Sequence, residues 1–181
     1  FNASSLGNAL GVSYHTVQRH VAALEAVFLV RRLPPFHRDV GKRLVKSPRL
    51  YVRDSGLVHH LLGIRSLAQL LDHPVRGASW EGFVIEDVLR RERIAHPASM
   101  AAFWRTAAGA EVDLVLDRGF ERVVVEVKTG RPGGDAVRRL RDVLPDVDAG
   151  RGWVVDQGDG IEALAPGAAR AGFGAVASGV P

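Results

Sequence analysis

Hydrophobic and polar residues change period several times along this chain. Val17, Val21 and Leu24 recur at helical spacing and leave His15, Thr16, Gln18 and Arg19 toward solvent, which predicts a helix over residues 14–26. A shorter helix is predicted over residues 4–10; Gly11 supplies the turn after it, and Ser13 can accept from a free amide of the second helix. Phe28, Leu29, Val30 and Leu33, and later Leu44 and Val45, predict two short strands with Pro34, Pro35 and Gly41 between them. Further on, the period falls to two. Val112, Leu114, Leu116 and Val123, Val125, Val127 fall on one strand face; Asp113, Val115 and Val124, Glu126, Lys128 fall on the other. Helices are predicted over residues 79–93 and 134–144 and strands over 100–106, 111–116, 122–128 and 152–155, an order of αβββαβ. Beyond Gly158 the chain turns rich in Gly and Ala. One small element around 161–164 and then a loose tail are expected there.

The helix, turn, helix order followed by a strand pair resembles a winged helix-turn-helix. The expected organisation is such a domain over residues 1–63, a linker over 64–76, an α/β domain over 77–165 and a loose tail over 166–181, with short apolar helices over 57–62 and 66–71. Arg31, Arg32, Arg38, Lys42, Arg43, Lys46, Arg49 and Arg53 face the single acid Asp39 in their segment, which marks where nucleic acid would be attracted. In a DNA major groove His15, Thr16, Gln18 and Arg19 would lie near bases, with Arg31, Arg43 and Lys46 on phosphates. Winged helices also pack on other protein domains, and the sequence leaves that alternative open.

The acids and the lysine inside the central strands change the picture most. If the turn over residues 117–122 closes a hairpin, Asp113 sits beside Glu126 with Lys128 one pleat further on. Burying such charges unpaired costs several kcal/mol per ion, roughly, and a divalent cation bridging the carboxylates would offset that. The plainer alternative is a solvent-face ion pair, since Glu-x-Lys is common on strands.

Composition narrows the classes. The chain has 181 residues, 46% of them apolar, enough for one sizeable core or two small ones. Lys and Arg exceed Asp and Glu by 24 to 20, and the pI is near 10.1, which suits an anionic partner. There is no cysteine, so disulfides, thiol catalysis and cysteine-ligated zinc are excluded; a reducing cytoplasm fits. No apolar run approaches the roughly 20 residues that span a bilayer, no signal peptide is visible, and no membrane partner is expected. The opening at Phe1, without Met and almost directly into a helix, leads to the expectation of a piece of a longer protein.

The αβββαβ order, with Asp113 on the second strand and Glu126, Val127, Lys128 on the third, resembles the PD-(D/E)XK nuclease superfamily. Val112 stands where the eponymous proline would precede the Asp. The resemblance implies a restriction-endonuclease-like fold and places Gly77 and Glu81 in the leading helix's Gly-x-x-x-Glu context, with Glu86 as fallback. It also implies that Glu81, Asp113 and Glu126 hold Mg²⁺ or Mn²⁺ while Lys128 orients or deprotonates the attacking water.

A wider resemblance rests on Leu6 to Leu10 with Gly11, Val12, Ser13, then Thr16, Val17, Leu24, Glu25, Pro34, Pro35, Gly41, Lys42, Arg43, Lys46, Ser47, Pro48 and Tyr51 with Asp54, Ser55, Gly56, Leu57. Phe103, Trp104, Arg105, Thr106 leading through Gly109 into Glu111, Val112, Asp113 extends it. These residues are similar to the C-terminal region of a large bacterial and archaeal family of AAA+ ATPases, a region called domain of unknown function 4143. It implies DNA and an N-terminal AAA+ ATPase domain as partners and is compatible with an oligomer. The chain has no Gly-x-x-x-x-Gly-Lys-Ser/Thr, so it carries no such nucleotide site itself.

Two functions stay open at this level. One is a Mg²⁺-dependent phosphodiesterase using Asp113, Glu126, Lys128 and Glu81. The other is a catalytically silent module that binds DNA or protein for the ATPase, compatible with Glu81 turned away or paired with an arginine. His59, His60 and His73 read as surface residues, and Trp80, Phe83 and Trp104 as core. Arg138, Arg139 and Arg141 read equally as phosphate contacts or as a solvated helix face.

Overall fold

Short polar side chains cap several of the helix starts, Ser13 among them as predicted. A computed structural model describes residues 1–37 and 47–177. In it Asn2 caps α1 (Ala3–Leu10), accepting from the Ser5 amide at 3.0 Å, and Gly11 ends the helix at φ 66°. Ser13 caps α2 (Tyr14–Ala26), accepting from the Thr16 amide at 3.1 Å. Ala3, Val17 and Val21 form a small core with Phe1 and Leu50 packed against it. β1 (Val30–Leu33) pairs antiparallel with β2 (Arg49–Val52), placing Leu33 opposite Arg49. The strand expected at Leu44 and Val45 lies outside the described residues, as do Arg43 and Lys46; the partner of β1 among the described residues is β2.

α3 (Ser55–Leu61) starts at the Asp54 cap, and α4 (Leu67–Asp72) at Ser66. The short helix expected over residues 66–71 is α4, and it packs on α5 (Arg76–Ala95). α5 starts three residues before the predicted helix, at Arg76 instead of Ser79, and includes Gly77.

β3 (Met100–Arg105), β4 (Glu111–Asp117) and β5 (Arg122–Val127) form an antiparallel run, and α6 (Gly134–Val147) crosses to β6 (Arg151–Asp156), parallel to β5. β7 (Ile161–Ala165), β8 (Ala168–Gly172) and α7 (Phe173–Ala177) follow. The result is a six-stranded mixed sheet in the order β3-β4-β5-β6-β8-β7. α5 and α7 cover one face through Val84, Ile85, Val88 and Val176; α6 covers the other through Leu140, Val143, Leu144 and Val147. Each such buried aliphatic side chain contributes roughly 1.5–3 kcal/mol. No helix among the described residues is long and apolar enough to cross a membrane.

The tail expected to be loose is part of the sheet. β8 lies between β6 and β7, and its Ala168, Arg170 and Ala171 are buried. Small residues there serve close packing: a Cβ on Gly172 would stand 2.0 Å from the Gly158 carbonyl oxygen. Phe173 then packs against Trp80 and Phe83 of α5, with ring centroids 5.5 and 5.1 Å away.

The N-terminal elements dock on this sheet. Leu33 enters the core under α5, and residues 34–36 run along β3, with Phe36 N–H donating to the Phe103 carbonyl at 2.6 Å and Phe103 N–H to the Pro34 carbonyl at 3.0 Å. Arg31 and Arg53 both donate to Glu86 on α5.

Candidate functional site

The β4–β5 hairpin has the register that the turn length predicts. Leu114 pairs with Val125 and Val115 with Val124, so the register places Asp113 opposite Glu126. The other neighbour of β4 alters the outcome. Ala102 pairs with Val115 and Trp104 with Val112, so Phe103 alone on β3 faces both Asp113 and Leu114. This β-bulge breaks the alternation. Val112 packs with Val115 on the α6 side, not with Leu114 and Leu116 as expected. Asp113 turns to the α5 side, where its partner Arg49 lies over the Phe103 ring, 4.9 Å from the centroid.

Arg49 is the centre of the cluster. Its Nη1 donates to Asp113 Oδ1 at 2.9 Å and Glu81 Oε1 at 3.2 Å, and its Nη2 donates to Glu111 Oε2 at 2.9 Å. Tyr51, two residues on along β2 and on the same side, donates its hydroxyl to Glu81 Oε1 at 2.6 Å. Asp113 Oδ2 accepts from the Val127 amide at 2.9 Å, which ties β4 to β5 beyond the last paired residues. The Asp113 side chain is 9% exposed, against 28% for Glu81 and 42% for Glu111. The cluster is therefore dry at its base and wet at its rim.

Electrostatics follow from three carboxylates around one guanidinium. Burial, then the nearby Asp113 charge, holds the Glu81 carboxyl above the ordinary range; Tyr51 and Arg49 pull it back only in part. Burial and then the Glu81 charge raise the Tyr51 hydroxyl. Burial works against the Arg49 charge, but Tyr51 and Asp113 more than offset it, and its pKa is raised.

Glu126 stands apart from this group. Its Oε1 accepts from Lys128 Nζ, and its Oε2 is buried without a hydrogen-bond partner. Burial first, then the Asp113 charge, pushes its carboxyl up to about 7, with Lys128 and Arg139 acting in the opposite direction. Lys128, expected to orient a water, is an ion-pair partner here, and its carbonyl accepts from Trp80 Nε1 at 2.9 Å. Among the described residues no group of three His, Asp or Glu side chains is arranged to hold a metal ion. Arg49 stands among Glu81, Glu111 and Asp113, so those donors do not fit a divalent ion as they stand.

On the expected DNA-facing helix, His15 and Arg19 are exposed and Thr16 is half-buried, its hydroxyl 2.9 Å from that of Ser13. Gln18 is half-buried, donating to the Tyr14 hydroxyl at 3.2 Å and accepting from Arg32 at 3.4 Å. Arg31, expected on phosphate, is committed to Glu86 in the interface. The fallback acid Glu86 accordingly faces β1 and β2, with burial opposing its charge and Arg31 and Arg53 bringing its pKa below the ordinary value. His59 hydrogen-bonds Ser79 at 2.7 Å, Trp104 is fully buried, and Phe83 is 42% exposed.

Arg49, Tyr51 and Glu111 are the site residues that the sequence reading leaves out. A faint signal exists in Arg49 and Tyr51, two polar-tipped residues two positions apart that fall in phase on β2. Nothing local links them to a helix and a strand 30 and more positions away.

Comparison with known families places the sheet domain. Residues 76–169 match a family described as Domain of unknown function (DUF4143). The chain belongs to this family. Residues 1–68 match a second, Domain of unknown function (DUF8612), so the N-terminal stretch that resembles the DUF4143 region is assigned to a family of its own. The DUF4143 chain is 36% identical over 160 residues to the uncharacterized proteins Rv2008c of Mycobacterium tuberculosis and Mb2031c of Mycobacterium bovis. The match covers 88% of this chain but 35% of either relative, so the chain is part of a larger DUF4143 protein. No solved structure matches it.

Proposed function

We propose that this chain is the DNA-engaging C-terminal part of a larger ATPase-type protein, and that in the arrangement described it binds DNA without cutting it. The observation that carries this reading is the pairing of Arg49 with Glu81 and Asp113. A nuclease of the PD-(D/E)XK kind needs Asp113 and Glu126, helped by Glu81, to converge on one divalent ion. Here a guanidinium takes two of those acids and an ammonium takes the third. The acids that would bind the ion already have partners within the chain.

DNA engagement is supported by the N-terminal elements. α1, the Gly11 turn and α2 follow one another in helix-turn-helix order, the β1–β2 pair follows in the place of a wing, and α2 exposes Tyr14, His15, Arg19 and His20 near its start. Cations at such positions act on phosphates and make binding salt-dependent. The ATPase part follows from the family resemblance, with the remaining length of the relatives as room for it.

A second reading, a metal-dependent phosphodiesterase, is favoured by one observation: Glu126 Oε2 is buried and has no partner, as a carboxylate oxygen awaiting a cation would be. Fluorescence anisotropy with labelled duplex DNA, run alongside a cleavage assay in Mg²⁺, separates the two. Salt-sensitive binding with the DNA left intact is the expected result. Cleavage that disappears in Asp113→Asn would replace the binding reading with the nuclease one, and absence of binding even at low salt would remove DNA from the account.

A further inference from the structure

We propose that the groove between the α2–β1 turn and the outer face of α5 is a docking site for a protein segment that combines acids with large apolar side chains. The segment is supplied by the part of the larger DUF4143 protein that lies outside this chain. Neither statement depends on the DNA reading.

Phe28 carries the first argument. α1 and α2 end in the same pattern of backbone hydrogen bonds. Gly11 N–H donates to the Asn8 carbonyl and Val12 N–H to the Gly7 carbonyl, at 3.4 and 2.9 Å; Phe28 N–H donates to the Glu25 carbonyl and Leu29 N–H to the Leu24 carbonyl, both at 3.0 Å. Such an ending needs one left-handed residue, usually glycine. α1 supplies Gly11 at φ 66°, whereas α2 supplies Phe28 at φ 59° and bears the strain of a Cβ there. The ring gives the fold little in return, being 72% exposed with the Arg53 guanidinium 5.6 Å from its centroid. An aromatic held in a glycine's place and left in water is explained by a partner that covers it.

The groove beside Phe28 has the shape and charge for such a partner. It is open, about 940 Å³, and its other wall is α5, where Phe83, Asp87, Arg90 and Ile94 follow one another at helical spacing. Phe83 and Ile94 are both exposed and lie three turns apart, about 16 Å along the helix axis, the length of a short helix or of some five extended residues. Glu86 accepts from Arg31 and Arg53, and Asp87 from Arg90 and Arg91, so each acid is outnumbered two to one. Asp54 is committed to capping α3. Arg93, exposed at the rim, has no ion pair among the described residues. Five arginines against three acids make the lining positive, which is complementary to carboxylates. Apolar walls with acids between them suit a polypeptide better than a phosphate backbone. The match covers 35% of either relative, so most of such a protein lies outside the chain. A tethered segment needs only modest intrinsic affinity, because the tether raises its local concentration, and an open groove is adequate for that.

Photo-cross-linking in the full-length protein tests the proposal, with p-benzoylphenylalanine in place of Phe28 and no DNA present. The expected product joins position 28, within one molecule, to a segment outside residues 1–181 that carries acids beside large apolar residues. Cross-links confined to residues 1–181, or made to a second copy or to another protein, overturn the proposal, as does their absence. A cross-link that forms only with added duplex DNA, and to that DNA, overturns it in favour of a nucleic-acid surface. A synthetic peptide of the cross-linked segment is then titrated into this chain by fluorescence anisotropy. Phe28→Gly should weaken its binding at least about tenfold and leave the urea midpoint unchanged or higher, because glycine relieves the strain. Unchanged binding overturns the proposal, and a lower midpoint would assign the ring to the fold. Arg93→Glu, at an exposed side chain, should weaken the peptide several-fold without changing the midpoint; unchanged affinity would also count against the groove.

Discussion

Arg170 and Arg49 are both set among acids, yet they solve opposite problems. Arg170 on β8 meets one carboxylate, Asp156 at the end of β6, with Nε and Nη2 donating to its two oxygens at 2.6 and 2.7 Å, while Nη1 donates to the Asp159 carbonyl at 3.0 Å. The Gly158 amide completes the shell of Asp156, which is 1% exposed. Burial opposes the Asp156 charge, but Arg170 and the Gly158 amide outweigh it and bring the carboxyl below its ordinary range. One charge cancels one charge, and both belong to neighbouring strands of one sheet. Around Arg49 one guanidinium meets three acids from two other elements, with Arg105 reaching Glu111 at 3.5 Å, and burial with Asp113 keeps Glu81 above its ordinary range. A balanced buried pair stabilises one geometry; an acid surplus around one guanidinium leaves its acids partly uncompensated.

The sharpest test of this contrast is Arg170→Met. It strands Asp156 in the sheet and should cost about 3–5 kcal/mol in urea unfolding. Arg49→Met should cost less, roughly 1–3 kcal/mol in metal-free buffer, because Glu81 and Glu111 remain in reach of water. A loss in Arg49→Met equal to or larger than that in Arg170→Met would erase the distinction between the two arginines.

Glu126→Gln probes the acid surplus from the other side of the sheet. With a folded pKa of about 7 against an ordinary 4.5, Glu126 binds its proton more tightly in the folded chain. Its contribution therefore falls as pH rises through that window. The substitution should stabilise the chain by on the order of 1 kcal/mol at about pH 8 and do almost nothing at about pH 4. Unfolding curves at the two pH values decide it, and a loss at the higher pH would mean that the Lys128 ion pair outweighs burial.

Arg19→Ala should have the smallest effect on folding, within about 0.5 kcal/mol, because the side chain is exposed on α2. It should weaken DNA binding several-fold and lower the salt-dependence slope by about one, a change that neither buried arginine is placed to produce. An unchanged slope would move the DNA-facing surface away from α2.

Much of the architecture is legible in local pattern. The capped helices, the αβββαβ order and the β4–β5 register follow from side-chain period and turn length, because those depend on residues close in sequence. β8 escapes such a reading. Its Ala and Gly residues carry no hydrophobic alternation, and at Gly172 the backbone of Gly158 and Asp159 comes too close for a Cβ.

The site divides along the same line. Sequence alone determined that two acids and a lysine would sit on adjacent strands, with Asp113 opposite Glu126, since a hairpin of known turn length has a definite register. Tertiary structure decided where they point and what they meet. The bulge that turns Asp113 exists because β3 offers one residue against two, and Arg49 reaches it only because β2 docks beside β4 and α5. Bulges and docked charges are set by the packing of distant segments against one another, and no period along a single segment encodes them.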